Sequence, residues 1–344
     1  MPDGLYERLA SLPLAVEGYE LEHRERNVSS GFTRVTTVVM LKGGGHTGSG
    51  EDVTYTAEDH DSMPADLDLA GRHTLSSFSS LLGGLQLFPR PPQMNASHDH
   101  RRWAFESAAL DLALRQAGLT LGAALDLRYH PVRFVVSTRL DIRPWLALYP
   151  RLEFKLDPTP DWDDELLALI AASGSVRVVD FKAFYTGTPV DNPPDPELYA
   201  RIVDAFPQAV VEDAALTPET EAALGPALER LSYDAPVHSW ADVAGLPRTP
   251  RFLNVKPSRF GTVERLFEFL DRSAAAGIAL YGGGQFELGV GRAQIQALAS
   301  LFYPNAPNDV APSGYNAPEA TAGLPGSPLP VPACLLGFDF SDGA

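Results

Sequence analysis

Beyond residue 132, short runs of β-branched and apolar residues alternate with longer stretches of helical period, the pattern of βα units laid on a parallel sheet. The runs predict strands over 132–137, 152–156, 176–181, 209–212, 236–239, 252–255 and 278–281, with an eighth near 309–311. Amphipathic stretches over 163–172, 196–206, 218–231, 263–276 and 292–302 predict helices between most of them. That rhythm predicts a (β/α)8 barrel. A doubly wound open sheet is the competing architecture, but no Gly-x-Gly-x-x-Gly turn follows the first strand. Upstream the pattern changes: a β-rich run at 32–41 enters a Gly-Gly-Gly turn, and 101–117 reads as one long helix. The expected organisation is an α+β capping domain (1–125), a modified barrel (126–316) and a C-terminal segment (317–344). That segment is rich in Pro, Gly and Ala over 317–332 and returns 335–340 toward the cap.

Charge narrows the partners. Lys and Arg number 27 against 44 Asp and Glu, a formal net charge of -17 with no compensating basic stripe, so nucleic acid is not expected. Residues 1–27 carry charges throughout, and nowhere do about 18 apolar residues run together, so a soluble cytoplasmic protein with no membrane partner is the expectation. The single cysteine, Cys334, excludes an intramolecular disulfide and a multi-thiolate zinc site; its Pro-Ala-Cys-Leu-Leu setting reads as buried packing. His98, His100 and His130 have no zinc spacing and read as surface or loop residues, with 98–102 a solvated helix start. A barrel of this size is compatible with a homo-oligomer.

In a parallel barrel the reactive groups sit at the C-terminal ends of the strands. Here those ends read Glu153-Phe-Lys155-Leu-Asp157, Asp180-Phe-Lys182, Glu212-Asp213, Asn254-Val-Lys256-Pro-Ser-Arg259 and Gly282-Gly-Gly-Gln-Phe-Glu287. Two lysines on opposite sides with carboxylates between them would flank one bound substrate. Glu287 and its glycine loop lack the following Lys-Ser/Thr of a phosphate loop and read as a tight turn.

These residues resemble the enolase superfamily, in its mandelate racemase and muconate lactonizing branch. The run 252–261 around Lys256 resembles that branch's sixth strand with its base lysine. The stretch 276–291 is similar to the seventh strand and its Gly-Gly-x-x-Glu-x-Gly-x-Gly loop. In the cap, Gly48-Ser-Gly-Glu-Asp52 resembles a Gly-x-Gly-Glu turn, and 105–114 the helix that leads into the barrel. The resemblance implies abstraction of a proton α to the carboxylate of a small molecule, by a lyase, cycloisomerase or racemase such as an o-succinylbenzoate synthase-like or muconate cycloisomerase-like enzyme. It implies a divalent metal, usually Mg²⁺, with Asp180 as first ligand and Glu212 as second, and Lys155 and Lys256 as the amines on the two faces.

Three departures accompany the matches. The family's Lys-x-Lys of strand two is Lys155-Leu-Asp157 here, and period-two alternation puts Glu153, Lys155 and Asp157 on one face without fixing which aligns with the site. At strand five, Pro236-Val-His238-Ser239-Trp-Ala-Asp242 offers no strand-end carboxylate, so the third ligand is expected to be missing or replaced by His238, Ser239 or Asp242. At strand three, Lys182 stands where the family has Asn. The expectation is that its ammonium pairs with Asp180 and Glu212 in place of the metal. An altered or inactive barrel that binds a ligand, or a metal-independent enzyme using Lys182, are the alternatives to the metal-dependent enzyme; Asp157, Asp213 and Glu287 are expected to face the substrate or its loops.

Overall fold

The N-terminal part builds five strands: β1 (Pro13–Val16), β2 (Gly18–Asn27), β3 (Thr33–Gly43), β4 (His46–Asp52) and β5 (Gly71–Thr74). In this computed structural model, which describes residues 4–29, 31–188 and 190–341, β2, β3 and β4 form an antiparallel meander and β1 pairs with β5. The outer residues of the expected cap and C-terminal segment, 1–3 and 342–344, lie outside the described residues. The helix Ser97–Ala117 lies against the meander, and its middle is buried on every side. Gly50 makes this contact possible: a Cβ there would lie 2.1 Å from the Ala104 carbonyl oxygen, so any side chain would push β4 off the helix.

Seven parallel strands follow in sequence order around one sheet: β6 (Val136–Thr138), β7 (Phe154–Leu156), β8 (Val176–Asp180), β9 (Val210–Glu212), β10 (Leu231–Tyr233), β11 (Phe252–Val255) and β12 (Ala279–Gly282). No regular strand forms at 309–311. Two parallel bridges close the ring instead, Phe134 to Asn308 and Gly283 to Asp309. The result is a TIM-like barrel with an α+β cap. Burial on both faces explains why these strands read as short continuous apolar runs.

One strand departs from the sequence expectation. The helix expected over 218–231 stops at Leu224, because Gly225 turns with φ +48° and Pro226 has no amide hydrogen to continue the ladder. A 3-10 turn, Gly225–Arg230, then delivers Leu231–Tyr233 into the sheet as the fifth strand. The segment 236–239, expected to be that strand, is instead the turn before the short helix Trp240–Ala244.

The C-terminal segment crosses back over both parts. Leu329 bridges Val132, Gly337 bridges Thr120, and the Phe338 ring meets Trp103 at 6.4 Å. Cys334 is exposed on this surface path, not buried as its neighbours suggested. Among the described residues no helix is long and apolar enough to cross a membrane.

Candidate active site

Every strand from β7 to β11 ends in a charged residue or is followed directly by one, and most of these side chains turn inward to one place. Asp180 ends β8, Glu212 ends β9 and Asp234 follows β10, and one ligand oxygen of each lies within 4.8 Å of the other two. All three are fully buried. Asp234 is the third carboxylate that seemed missing. His238, Ser239 and Asp242 do not take that part: Asp242 Oδ2 accepts from the His238 amide (2.9 Å) and the Ser239 hydroxyl (3.0 Å), closing their own turn.

The register of β7 is now fixed. Lys155 points into the ring, 1% exposed, with Nζ 2.9 Å from Asp180 Oδ2 and hydrogen-bonded to Glu212 Oε1. Glu153 lies toward the opposite end, paired with Arg133 and Arg177. The ammonium between Asp180 and Glu212 is therefore that of Lys155. Lys182 stands outside it, hydrogen-bonded to Asp180 Oδ2 and 3.9 Å from Asp157 Oδ1, with no bond to Glu212, which corrects the pairing expected from sequence.

On the far side Lys256 Nζ donates to Asp234 Oδ2 at 2.6 Å and Arg259 donates to Asp234 Oδ1 at 2.6 Å. Tyr185 donates to Asp234 Oδ2 (3.1 Å), while Tyr281 and Asn254 donate to Glu212. Gly283 lets the β12 loop close over this side: a Cβ there would sit 2.1 Å from Asn254 Oδ1 and 2.9 Å from Lys256 Cε. Asp213 acts one step back, accepting from the amides of Asp234 (2.8 Å) and Ala235 (3.0 Å) and so fixing the turn that carries Asp234. Glu287 also serves its own loop, accepting from the Gln285 amide (2.7 Å) and pairing with Arg292 (2.8 Å).

The electrostatics follow from burial and pairing. Burial alone would lower the Lys155 and Lys182 ammonium groups, but neighbouring carboxylates reverse this and hold both well above the ordinary lysine value. Lys256 is raised in the same way by Asp234, to a lesser degree. Burial would raise Asp180 and Asp234, yet the facing cations hold both far below the usual carboxylate range. Glu212 goes the other way, since burial outweighs Lys155. Burial also raises Asp213 to about 7 and Asp309, at the closing bridge, to about 6. Carboxylates from Asp157, Asp180, Glu212, Asp213, Asp234 and Asp309 thus share the mouth with Lys155, Lys182, Lys256 and Arg259, while Arg139 pairs with Asp157 at its edge.

Above this ring the cap supplies residues that sequence placed in solvent. His100 and Arg101 are buried; Arg101 pairs with Asp52 at 2.9 Å, and His100 Nε2 meets Gln285 Nε2 at 3.2 Å. Exposed His98 and His130 fit the sequence reading. Phe32 from the cap meets Phe286 of the β12 loop at 5.6 Å and closes the seam. Asp234 and Tyr281 are site residues that sequence reasoning missed, while Asn254 and Arg259 lay in the strand-end run it quoted but were given no role. The Gly225-Pro226 helix stop, followed by Leu231-Ser-Tyr233 and an aspartate, was the available signal for Asp234.

Solved structures share this architecture. A muconate cycloisomerase from Pseudomonas fluorescens is 18% identical, with a TM-score of 0.62 over 87% of each chain. A dipeptide epimerase from Methylococcus capsulatus complexed with Mg ion is 17% identical, with a TM-score of 0.63 over 90% of this chain and 89% of that one. A probable mandelate racemase from Alicyclobacillus acidocaldarius is 18% identical, with a TM-score of 0.60 over 88% and 83%. No curated protein matches the chain. Two family models do, described as Domain of unknown function (DUF8230) N-terminal domain over residues 7–124 and Domain of unknown function (DUF8230) C-terminal domain over 128–317. The chain belongs to that family, built on the fold of the enolase superfamily.

Proposed function

We propose that the protein transfers a proton at the carbon α to a carboxylate of a small-molecule substrate, as a lyase, cycloisomerase or racemase. The observation that carries this reading is the convergence of three strand-end carboxylates between amines that enter from opposite sides of the barrel. Asp180, Glu212 and Asp234 could hold a metal: they offer three hard oxygens within 4.8 Å. Burial raises Glu212, Asp213 and Asp309, and neighbouring carboxylates add to the rise at Glu212 and Asp213. Those residues fit a divalent cation, and Mg²⁺ is the proposed one, the ion with which the Methylococcus epimerase is complexed. Bound there it would supply a Lewis acid for negative charge developing on the substrate oxygen.

The chain's own groups do the rest. Lys256, at the end of β11 on the side of the ring away from Lys155 and in contact with Asp234 alone among the triad, is the proposed base. Lys155 and Lys182, from β7 and the end of β8, present ammonium groups to the opposite face and favour an anionic substrate. Arg259 and Tyr185 hold Asp234 in place behind Lys256. The Phe32–Phe286 contact roofs the seam between cap and barrel and limits water access.

The test is deuterium uptake at the α carbon, followed by proton NMR in D₂O with Mg²⁺ present, across 2-hydroxy acids, dipeptides and muconate. Exchange by the wild type should fall by about 100-fold or more in Lys256→Met. Undiminished exchange in that variant overturns the assignment.

A further inference from the structure

We infer that Lys182 is a two-position ammonium that gates the cation site: it rests on Asp180 when no divalent cation is bound and moves onto Asp157 when one takes Asp180. The inference rests on the divalent-cation reading of the carboxylate triad and concerns a residue that does not itself hold the cation in that reading.

Two neighbouring carboxylates differ in a way that points to this movement. Asp180 Oδ2 is oversubscribed, since Lys182 donates to it and Lys155 Nζ pairs with it at 2.9 Å. Asp157 is undersubscribed. Its Oδ2 accepts from Arg139 Nε at 2.8 Å, but its Oδ1 is buried without a hydrogen-bond partner. A buried acceptor left without a donor is costly, and the nearest ammonium is Lys182 Nζ at 3.9 Å. A small side-chain swing would satisfy it.

The backbone sets Lys182 up for this. Its φ of +56° is a left-handed conformation that a lysine rarely adopts, and its amide donates to Asp180 Oδ1 at 3.1 Å. Together these fold the side chain back over its own strand end, between Asp180 and Asp157. The Tyr185 ring, 5.0 Å from Nζ, borders the path. Lys182 is also the freest of the three ammonium groups, 13% exposed against 1% for Lys155, which two carboxylates hold at once. A dication on Asp180 would repel an ammonium on the same oxygen, and Asp157 Oδ1 is the acceptor standing ready for it.

Mn²⁺ binding to the full-length protein, read by electron paramagnetic resonance of the free ion, tests the gate without reference to turnover. Lys182→Gln, with Lys182→Met as a second variant, should bind Mn²⁺ about tenfold more tightly than wild type, because one ammonium fewer competes with the ion for Asp180 while Lys155 is the same in all three proteins. Asp157→Asn should bind about threefold more weakly, because the displaced ammonium loses its second seat, and should have no effect when Lys182 is already Gln. Equal binding by wild type and both Lys182 variants overturns the gate and leaves the cation reading standing. An Asp157→Asn effect of the same size in both backgrounds also overturns it, since Asp157 would then act on the ion directly. No binding by wild type or either Lys182 variant overturns the cation reading itself and the gate with it.

Discussion

Two regions of this molecule bury charge densely, and they satisfy it differently. In the cap, Asp52 and Arg101 pair at 2.9 Å, but most of their remaining bonds go to the main chain: Asp52 accepts from the Thr54 amide as well as its hydroxyl, and Arg101 donates to the carbonyls of Leu87 and Asp59. Arg34, fully buried nearby, bonds the carbonyls of Val53 and Thr54. At the barrel mouth Asp180, Glu212, Lys155 and Lys256 bond chiefly to other side chains. A charge tied to backbone staples loops and has nothing to exchange. A charge tied to other side chains can trade them for an ion or a substrate, because the trade leaves the fold's own hydrogen bonds intact.

The largest expected effect tests the cap half. Arg101→Leu leaves Asp52 buried and uncompensated and frees two carbonyls, so urea midpoints should report a loss of about 3–5 kcal/mol that added Mg²⁺ does not recover. A loss below about 1 kcal/mol would show that the cap charges are not staples. Lys155→Met is the counterpart at the mouth. It leaves Asp180 and Glu212 facing each other with one ammonium fewer, at a cost of about 3 kcal/mol in chelator. Here millimolar Mg²⁺ should recover a large part, read as a rise in melting temperature with added cation. Equal losses with and without the ion would erase the difference between the two regions.

The same contrast governs what the sequence revealed. The alternation of apolar runs places β8, β9 and β11 to within a residue or so, and Asp180, Glu212 and Lys256 are found at their ends. A strand-end polar residue is legible because the parallel barrel tells where ends must face. β10 was not legible: it is three residues long, Leu-Ser-Tyr, and only the short turn Gly225–Arg230 separates it from a helix whose period runs on through Leu228 and Leu231. Asp234 went unread with it. His100 and Arg101 were misread for another reason. They lie in a polar run, His98-Asp-His-Arg-Arg102, that looks solvated, and only the tertiary approach of the β12 loop and of 52–60 makes that helix end interior. Lys155 and Asp157 share a face in any register, so only the contacts of Glu153 with Arg133 and Arg177 at the other end fix which one enters the ring.

His100 gives a pH test of intermediate size. Burial, opposed by Asp52 but reinforced by Arg259 and Arg34, lowers its imidazole to about 3, and its Nδ1 is buried without a partner. Above pH 6.5 the ring is neutral in both folded and unfolded chains and pH has no purchase on it. As pH falls from 6.5 toward 3, the unfolded chain takes a proton that the folded chain refuses, so stability is lost across that window. At pH 4.5 the loss amounts to about 2–3 kcal/mol. Asp309 and Asp213, raised to about 6 and 7, have the opposite sign and favour the folded chain as pH falls, but they are common to both proteins. His100→Gln should therefore lose less stability than wild type between pH 7 and 4.5, by that amount, in urea titrations at the two pH values. Parallel losses would mean that the imidazole is hydrated.

Glu51 lies between the two regions and is the finest test of the distinction. It belongs to the cap, at the end of β4, but its carboxylate reaches the barrel and accepts the amides of Leu288 (2.7 Å), Gly289 (3.0 Å) and Gly291 (2.9 Å) at the start of the helix Val290–Phe302. By position it is close to the chemistry. By partner it is a staple, since every one of those donors is main chain and the charge meets the positive end of a helix dipole. Glu51→Gln keeps an acceptor oxygen and removes the charge, so it should cost about 1 kcal/mol in urea unfolding. Mn²⁺ affinity at the triad should not change, because no carboxylate of the triad shares a donor with Glu51. A shift in Mn²⁺ affinity larger than the shift in stability would place Glu51 with the exchangeable charges, and partner type would then no longer separate the fold's ions from those of the site.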